Sequence, residues 1–376
     1  MQLGRDLDEA RITLQRWLES RLDGAQGVEV SPLTAPGGAG FTNETLFLDA
    51  AWTEDGASRQ LRSVLRVAPT SYSVAFGGAA FFEPQCRLMQ TLASETDVPV
   101  PAIRWYEPES EWLGAPFAVT ERVDGDSHPD FPPYNVSGWL FDASPNNQAR
   151  MFCSTVETIA RINTIDWRAH GLDYLLDPDR GAAGFEQRFQ FFRDAYDWAR
   201  GDHHSPILEQ ARDWLAANQP TEPEPVVLSW GDARPGNMIY RDFTVAAVID
   251  WEFASLGPPL QDLSWWFFVH RAMFADLHTG DPDDDRGLPG FPSRAAAVKQ
   301  WEELTGFSGE NLHFYEVFSG FRLALASFRM GRLFIEMGVL PADSRWADYN
   351  AITQALAGLI GVEHPEPEQL PQLIGG

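Results

Sequence analysis

The stretch 226–252, VVLSWGDARPGNMIYRDFTVAAVIDWE, is the feature that most constrains this chain. It sets three short hydrophobic runs, Val226 to Trp230, Met238 to Tyr240 and Val245 to Ile249, among segments whose apolar residues recur at helical spacing. These runs read as strands around a small hairpin, with Asp232, Asn237 and Asp250 gathered at one end. A carboxylate to take a hydroxyl proton, and an amide oxygen and second carboxylate to hold magnesium, are what phosphoryl transfer needs. That reaction depends on positioning and charge neutralisation more than on covalent help. The bland alternative is that Asp, Asn, Gly and Pro simply populate turns. It leaves unexplained why Asp232 stands five residues before Asn237 and why Asp250 closes the next run.

With 376 residues and 44% apolar side chains, the chain suits two or three cooperating units. No run of about 18 uncharged apolar residues is present to span a membrane. The charged opening MQLGRDLDEARITLQRW lacks the apolar core of a signal peptide, so a cytoplasmic protein is expected. Cys86 and Cys153 are too few for a disulfide framework or a zinc site. A net charge of -26 argues against a nucleic-acid partner and leaves nucleotide binding to local groups and metal. The same acidity fits either a cationic acceptor such as an amino sugar or simply a soluble, self-repelling surface. Lys299 is the only lysine, so almost every basic role falls to arginine.

Apolar spacing predicts an N-terminal helix through Leu7, Leu14, Trp17 and Leu22, then strands over 28–33, 44–52 and 60–67. A helix over 81–93 and two strands at 103–106 and 117–123 follow. The first lobe is therefore expected to be a mostly antiparallel sheet with one inserted helix, spanning 1–124 and binding nucleotide. Proline-rich residues 125–147 mark a composition shift. Beyond it, 125–376 is expected to form a mainly helical catalytic and substrate-binding lobe, with helices near 149–165, 185–199, 206–217, 260–277, 293–304, 312–337 and 346–360.

Trp230-Gly231-Asp232 through Asn237, Ile249-Asp250-Trp251-Glu252 and Gly257-Pro258-Pro259-Leu260-Gln261-Asp262-Leu263 resemble the motifs of the aminoglycoside phosphotransferase and choline kinase superfamily. The resemblance runs from the Gly-rich turn to about residue 330. It is nearest to the branch similar to the kinase domains fused to some acyl-CoA dehydrogenases. It implies an α+β, two-lobed protein-kinase-like fold and a magnesium- and ATP-dependent transfer. By position, Asp232 would orient or deprotonate the acceptor hydroxyl, Asn237 and Asp250 would hold Mg2+, and Asp262 would brace the catalytic loop. Trp230 stands where the family usually has His. Arg234 carries a permanent cation that would balance the transferred phosphate or bind an anionic substrate, or else form a local salt bridge.

The family places a lysine on the third strand to contact phosphate. Here Arg66, in Val64-Leu65-Arg66-Val67, takes that position, and its guanidinium can fork onto phosphate oxygens. The helix residue that would pair with it aligns on Gln85, with Glu83 as a substitute. The turn Gly37 to Gly40 could lay backbone N–H groups, notably at Gly38 and Gly40, over the phosphates; it also reads as an ordinary hairpin turn. The segment 117–125 resembles the interlobe hinge, where the backbone of Glu121 and Val123 would read adenine. Trp265-Trp266-Phe267-Phe268 reads as helix core, and His203-His204 as a loop pair without metal spacing. The acidic loop Asp281 to Asp285 reads as a solvated surface loop or a gate for a cationic acceptor.

The sequence thus points to a kinase acting on a small hydroxylated molecule. The acceptor is an amino sugar or amino alcohol, or a hydroxyacyl-CoA or hydroxy acid. Its rivals are a catalytically weak or silent nucleotide-binding relative, suggested by Trp230 and the absent strand lysine, and a glycosidase, which has no use for Asn237.

Overall fold

The computed structural model describes residues 5–36, 43–69, 78–129, 132–274 and 287–370. The chain divides into two compact units, 1–125 with 247–252, and 126–246 with 253–376. The tract that carries Asp250 therefore folds with the first unit, although its neighbours in sequence on both sides belong to the second.

In the first unit, helix α1 (Leu7–Arg21) begins at Asp6, whose carboxylate accepts the N–H groups of Asp8 and Glu9. Its spacing puts Ala10, Leu14, Trp17 and Leu18 on one buried face. Strands β1 (Gln26–Val30), β2 (Glu44–Glu54), β3 (Ala57–Val67), β4 (Ile103–Glu107) and β5 (Phe117–Glu121) form an antiparallel sheet in the order β1-β2-β3-β5-β4. Asp55 and Gly56, both left-handed, join β2 to β3 in a two-residue turn that fixes the register from Glu54↔Ala57 to Glu44↔Val67. Alternation along β3 buries Leu61, Ser63, Leu65 and Val67 and turns Arg66 to the opposite face. Helix α2 (Phe82–Glu95) lies between β3 and β4 in sequence and buries Phe82, Gln85, Cys86 and Leu88.

The second unit is helical: α3 (Pro145–Asn163), α4 (Phe185–Arg200), α5 (Pro206–Ala217), α6 (Gln261–Phe274), α7 (Arg294–Thr305), α8 (Leu312–Glu336) and α9 (Ala351–Ile360). Its centre is α8, which packs on α5, α6 and α9 and wholly buries Phe318, Phe321, Leu325 and Phe328, with Phe318, Phe321 and Phe328 packed against rings of α4. Helix α9 starts later than periodicity predicts, because Asn350 and Thr353 close a capping box there. Four short strands hold the motif region: β6 (Val227–Ser229), β7 (Met238–Arg241), β8 (Thr244–Val248) and β9 (Ser255–Gly257).

This is the α+β architecture expected, with one difference at the motif. The three runs do not make a single hairpin. Strands β7 and β8 pair around left-handed Asp242 and Phe243, whereas β6 pairs antiparallel with β9, a strand the sequence pattern does not announce. Three residues are too short for a periodic signal, so only pairing reveals them. No described helix is long and apolar enough to cross a membrane.

Candidate active site

The loop between β6 and β7 is built around backbone that only glycine tolerates. Gly231 has φ +93°, and a Cβ there would lie 2.2 Å from the carbonyl oxygen of Phe253. Asp262, in the first turn of α6, ties down the loop's entrance. Its Oδ1 accepts from Ser229 Oγ and the Gly231 N–H, each at 2.7 Å. Its Oδ2 accepts from the Trp230 N–H at 2.8 Å and Asn163 Nδ2 at 3.2 Å. Burial pushes the Asp262 carboxyl upward, and these four donors pull it back toward the anion. Trp230 serves this bracing through its main chain while its indole is fully buried.

Asp232 follows, nearly buried at 9% exposure. Its Oδ1 accepts the indole N–H of Trp265 at 2.8 Å, and its Oδ2 accepts Asn237 Nδ2 at 2.7 Å. Arg234 Nε bridges both oxygens at 3.2 and 3.0 Å. Asn237 sits at the end of a short 3-10 turn, and its amide nitrogen also reaches the Asp232 carbonyl at 3.2 Å. With that nitrogen committed twice, Oδ1 is the Asn237 atom left to bind a cation. Of the side chains bonded to Asp232, Trp265 and Asn237 are buried, whereas Arg234 keeps 23% of its side chain exposed.

In the first unit, Arg66 and Asp250 meet from 184 residues apart in sequence, with Nη2 2.8 Å from Oδ1. Asp250 holds a left-handed backbone at φ 62°, a cost of order 1–3 kcal/mol for a non-glycine residue that the surrounding structure must offset. The Val248 N–H to Pro99 carbonyl bond, at 2.7 Å, fixes the tract on which Asp250 stands. Burial alone would lower the pKa of Arg66, but Asp250, the hydrogen bond to it, Glu252 and Cys86 together turn it upward. Burial in turn pushes the Cys86 thiol up to about 12 against the pull of Arg66. Neither Glu83 nor Gln85 bonds to Arg66; its charged partner is Asp250. Arg66 Nε and Gln85 Oε1 are both buried without a hydrogen-bond partner among the described residues. An orphaned guanidinium donor beside Asp250 fits the approach of an anionic oxygen. The Glu121 N–H is already given to the Ala102 carbonyl at 2.8 Å, so only its carbonyl could read an adenine. Val123 follows β5 in irregular backbone. Gly38, Gly40 and the Asp281 to Asp285 loop lie outside the described residues.

A model of the phosphotransferase enzyme family matches residues 36–303, well over half of the chain. The chain belongs to this family. A crystal structure of a candidate aminoglycoside phosphotransferase from Ralstonia eutropha JMP134 shares its fold, with TM-score 0.64 and 22% identity over 93% of this chain and 98% of that one. A ternary complex of aminoglycoside phosphotransferase APH(4)-Ia with ADP and hygromycin B superposes with TM-score 0.53 and 16% identity over 92% and 98% of the two chains. Among curated proteins, acyl-CoA dehydrogenase family member 11 of Rattus norvegicus is 29% identical over 196 residues, 51% of this chain and 24% of its own. This chain thus spans about a quarter of that relative's length.

Two residues of this phosphotransferase-family chain escape sequence reasoning. Trp265 is buried in helix α6 as its pattern predicts, but its indole N–H also reaches Asp232; the signal for that was only its place three residues after Asp262 on the same helix face. Arg322, in the middle of α8, donates Nη2 to the Gly231 carbonyl across 91 residues of sequence, and nothing local marks it. His203 and His204 bond Asp348 and Glu209, and among the described residues no three of His, Cys, Asp and Glu form a metal cluster.

Proposed function

We propose that this protein is an ATP- and magnesium-dependent kinase that transfers the γ-phosphoryl group to a hydroxyl of a small molecule. The observation that carries the proposal is the donor set on Asp232. Two buried side chains, Trp265 and Asn237, hold the carboxylate from its sides, and the more exposed Arg234 bridges it. An acceptor hydroxyl takes Arg234's place, donates to Asp232 and gives up its proton there as its oxygen attacks phosphorus. Arg234, released, turns its charge toward the transferred phosphoryl group or an anionic part of the acceptor.

The residues also fit the metal and the nucleotide. Asn237 Oδ1 and the Asp250 carboxylate are two hard oxygen donors, a set that suits Mg2+, which takes its remaining ligands from phosphates and water. When bound, the ion neutralises charge on the phosphates. Arg66 takes the duty of the missing strand lysine, its orphaned Nε available to a phosphate oxygen. The backbone of Glu121 and Val123 reads the adenine, and Gly38 and Gly40 cover the phosphates. The kinship with nucleotide-binding phosphotransferases supports the ATP assignment. The acceptor is either an amino sugar or amino alcohol, in keeping with the net charge of -26, or a hydroxyacyl-CoA or hydroxy acid, in keeping with the acyl-CoA dehydrogenase relatives.

The test is a screen of hydroxylated acceptors with Mg-ATP, with mass detection of the phosphorylated product. Transfer that vanishes in Asp232→Asn while nucleotide binding persists is the expected result. ATP binding with no transfer to any acceptor supports the silent-relative reading instead.

A further inference from the structure

Helix α6 presents two polar side chains one turn apart, and they act on the same loop at successive residues. Asp262 takes the main-chain N–H groups of Trp230 and Gly231, while Trp265 gives its indole N–H to the side chain of Asp232. Residues three apart share a helix face, so one rigid element fixes both the path of the loop and the direction of its carboxylate. A buried indole N–H requires an acceptor. Here the acceptor is the charged oxygen of the proposed base at 2.8 Å, rather than a carbonyl of the surrounding core.

The indole is itself held. The guanidinium of Arg322 lies over the Trp265 ring at 4.3 Å from its centroid, with the rings of Phe192 at 5.0 Å and Phe318 at 5.8 Å. The same guanidinium bonds the Gly231 carbonyl through Nη2, while its Nε and Nη1 have no hydrogen-bond partner among the described residues. Burial lowers its pKa to about 10 even with Asp262 and Asp232 nearby, so holding a cation there costs free energy. Maintaining that cation makes physical sense if its position matters: it locks the ring plane from one side and the backbone before Asp232 from the other.

We propose that Trp265 is a positioning residue for Asp232, clamped by Arg322, and that turnover depends on its N–H rather than on the volume of its ring. The role rests on Asp232 serving as the base proposed above. A neutral donor suits it: the indole sets the carboxylate's direction from a buried, fixed position without adding a further charge beside it. Arg234, the cationic donor, is the one that gives way to the acceptor. Trp265 remains in place through the cycle.

The experiment compares the wild-type chain with Trp265→Phe, which keeps an aromatic ring over Arg322 but loses the donor, and Trp265→Tyr, whose hydroxyl is again a donor. Steady-state ADP release from Mg-ATP, with water as the acceptor, gives kcat and KM for ATP. Loss of a charge-assisted hydrogen bond predicts a kcat loss of about 10- to 100-fold in Trp265→Phe and a smaller loss in Trp265→Tyr, with KM for ATP and thermal midpoint held in both. In an Asp232→Asn background the Trp265→Phe change produces no further loss, because its route to the chemistry is already cut. Tryptophan-15N spectra supply a readout that needs no ligand: the indole N–H signal absent from Trp265→Phe moves in Asp232→Asn. A kcat within about threefold of wild type in Trp265→Phe overturns the proposal, as does a loss that appears equally as KM or adds in full to that of Asp232→Asn. An unmoved indole signal overturns it as well and leaves the kinase reading intact. A wild type that releases no ADP and phosphorylates no acceptor removes the base, and with it both proposals.

Discussion

Asp250 and Asp232 are both carboxylates that follow short strands, but the two units hold them by different means. Asp250 meets a guanidinium, at 2.8 Å, on a left-handed backbone, and the two side chains keep 20% and 12% of their surface exposed. Asp232 is enclosed by an indole, an amide and a guanidinium, on a loop whose backbone is tied to Asp262 and Arg322. The difference matches the tasks proposed for them. A metal ligand must exchange one cation for another, so its resting partner is a charge that can itself move to phosphate. A base must point one way throughout, so two of its donors, Trp265 and Asn237, are buried side chains with little freedom to leave, and only the more exposed Arg234 gives way.

That contrast can be broken experimentally. The largest effect is expected at the base: Asp232→Asn keeps shape and most donors but should lower phosphoryl transfer by about 10³-fold or more, measured as product by mass detection, with ATP affinity retained. Asp250→Ala should act on binding instead, removing the magnesium dependence of nucleotide affinity in titrations with and without the metal. If Asp250→Ala left that dependence intact while Asp232→Asn removed it, the roles assigned to the two carboxylates would be reversed.

Smaller effects sharpen the comparison. Replacing Arg66 with Lys keeps the charge and loses the fork, so KM for ATP should rise by about tenfold with little change in kcat. Arg234→Ala should raise the acceptor KM or lower kcat by about tenfold in the same assay while leaving ATP affinity unchanged. An Arg234→Ala enzyme of wild-type rate for every acceptor would reduce its bridge to a resting contact.

The smallest effect lies away from both carboxylates, at Glu107 in the first unit. Burial pushes its carboxyl up, but hydrogen bonds from Trp17, Arg21 and the Glu109 N–H outweigh that and hold it below its usual value. A depressed folded-state value means stability present above the unfolded value of about 4.3 and lost as pH falls through the folded one. The urea midpoint of wild type should therefore exceed that of Glu107→Gln at neutral pH, and the gap should close in acid. A gap that widened on acidification would contradict the sign.

Much of this was legible in the chain. The positions of β2, β3, α2 to α5 and α8 followed from the spacing of apolar residues, because a face buried along a long element leaves a periodic trace. The loop carrying Asp232 and Asn237 was legible because its residue types are scarce outside turns and the chemistry fixes their spacing. Strand β9 was not, since three residues carry no period. The pairing of Arg66 with Asp250, in place of Gln85 or Glu83, was hidden for another reason: a helix alignment fixes which turn faces a strand but not which carboxylate a long guanidinium reaches.

The sequence by itself determined the family, the α+β class and the identity of the candidate chemical groups. Those depend on residue type and local spacing, which are written along the chain. Tertiary structure alone decided that residues 247–252 fold with the first unit, that Trp265 turns its indole onto Asp232, and that Arg322 lies behind both the ring and the Gly231 carbonyl. These are contacts between elements distant in sequence, and direction in space is set by packing, for which a string of residues has no coordinate.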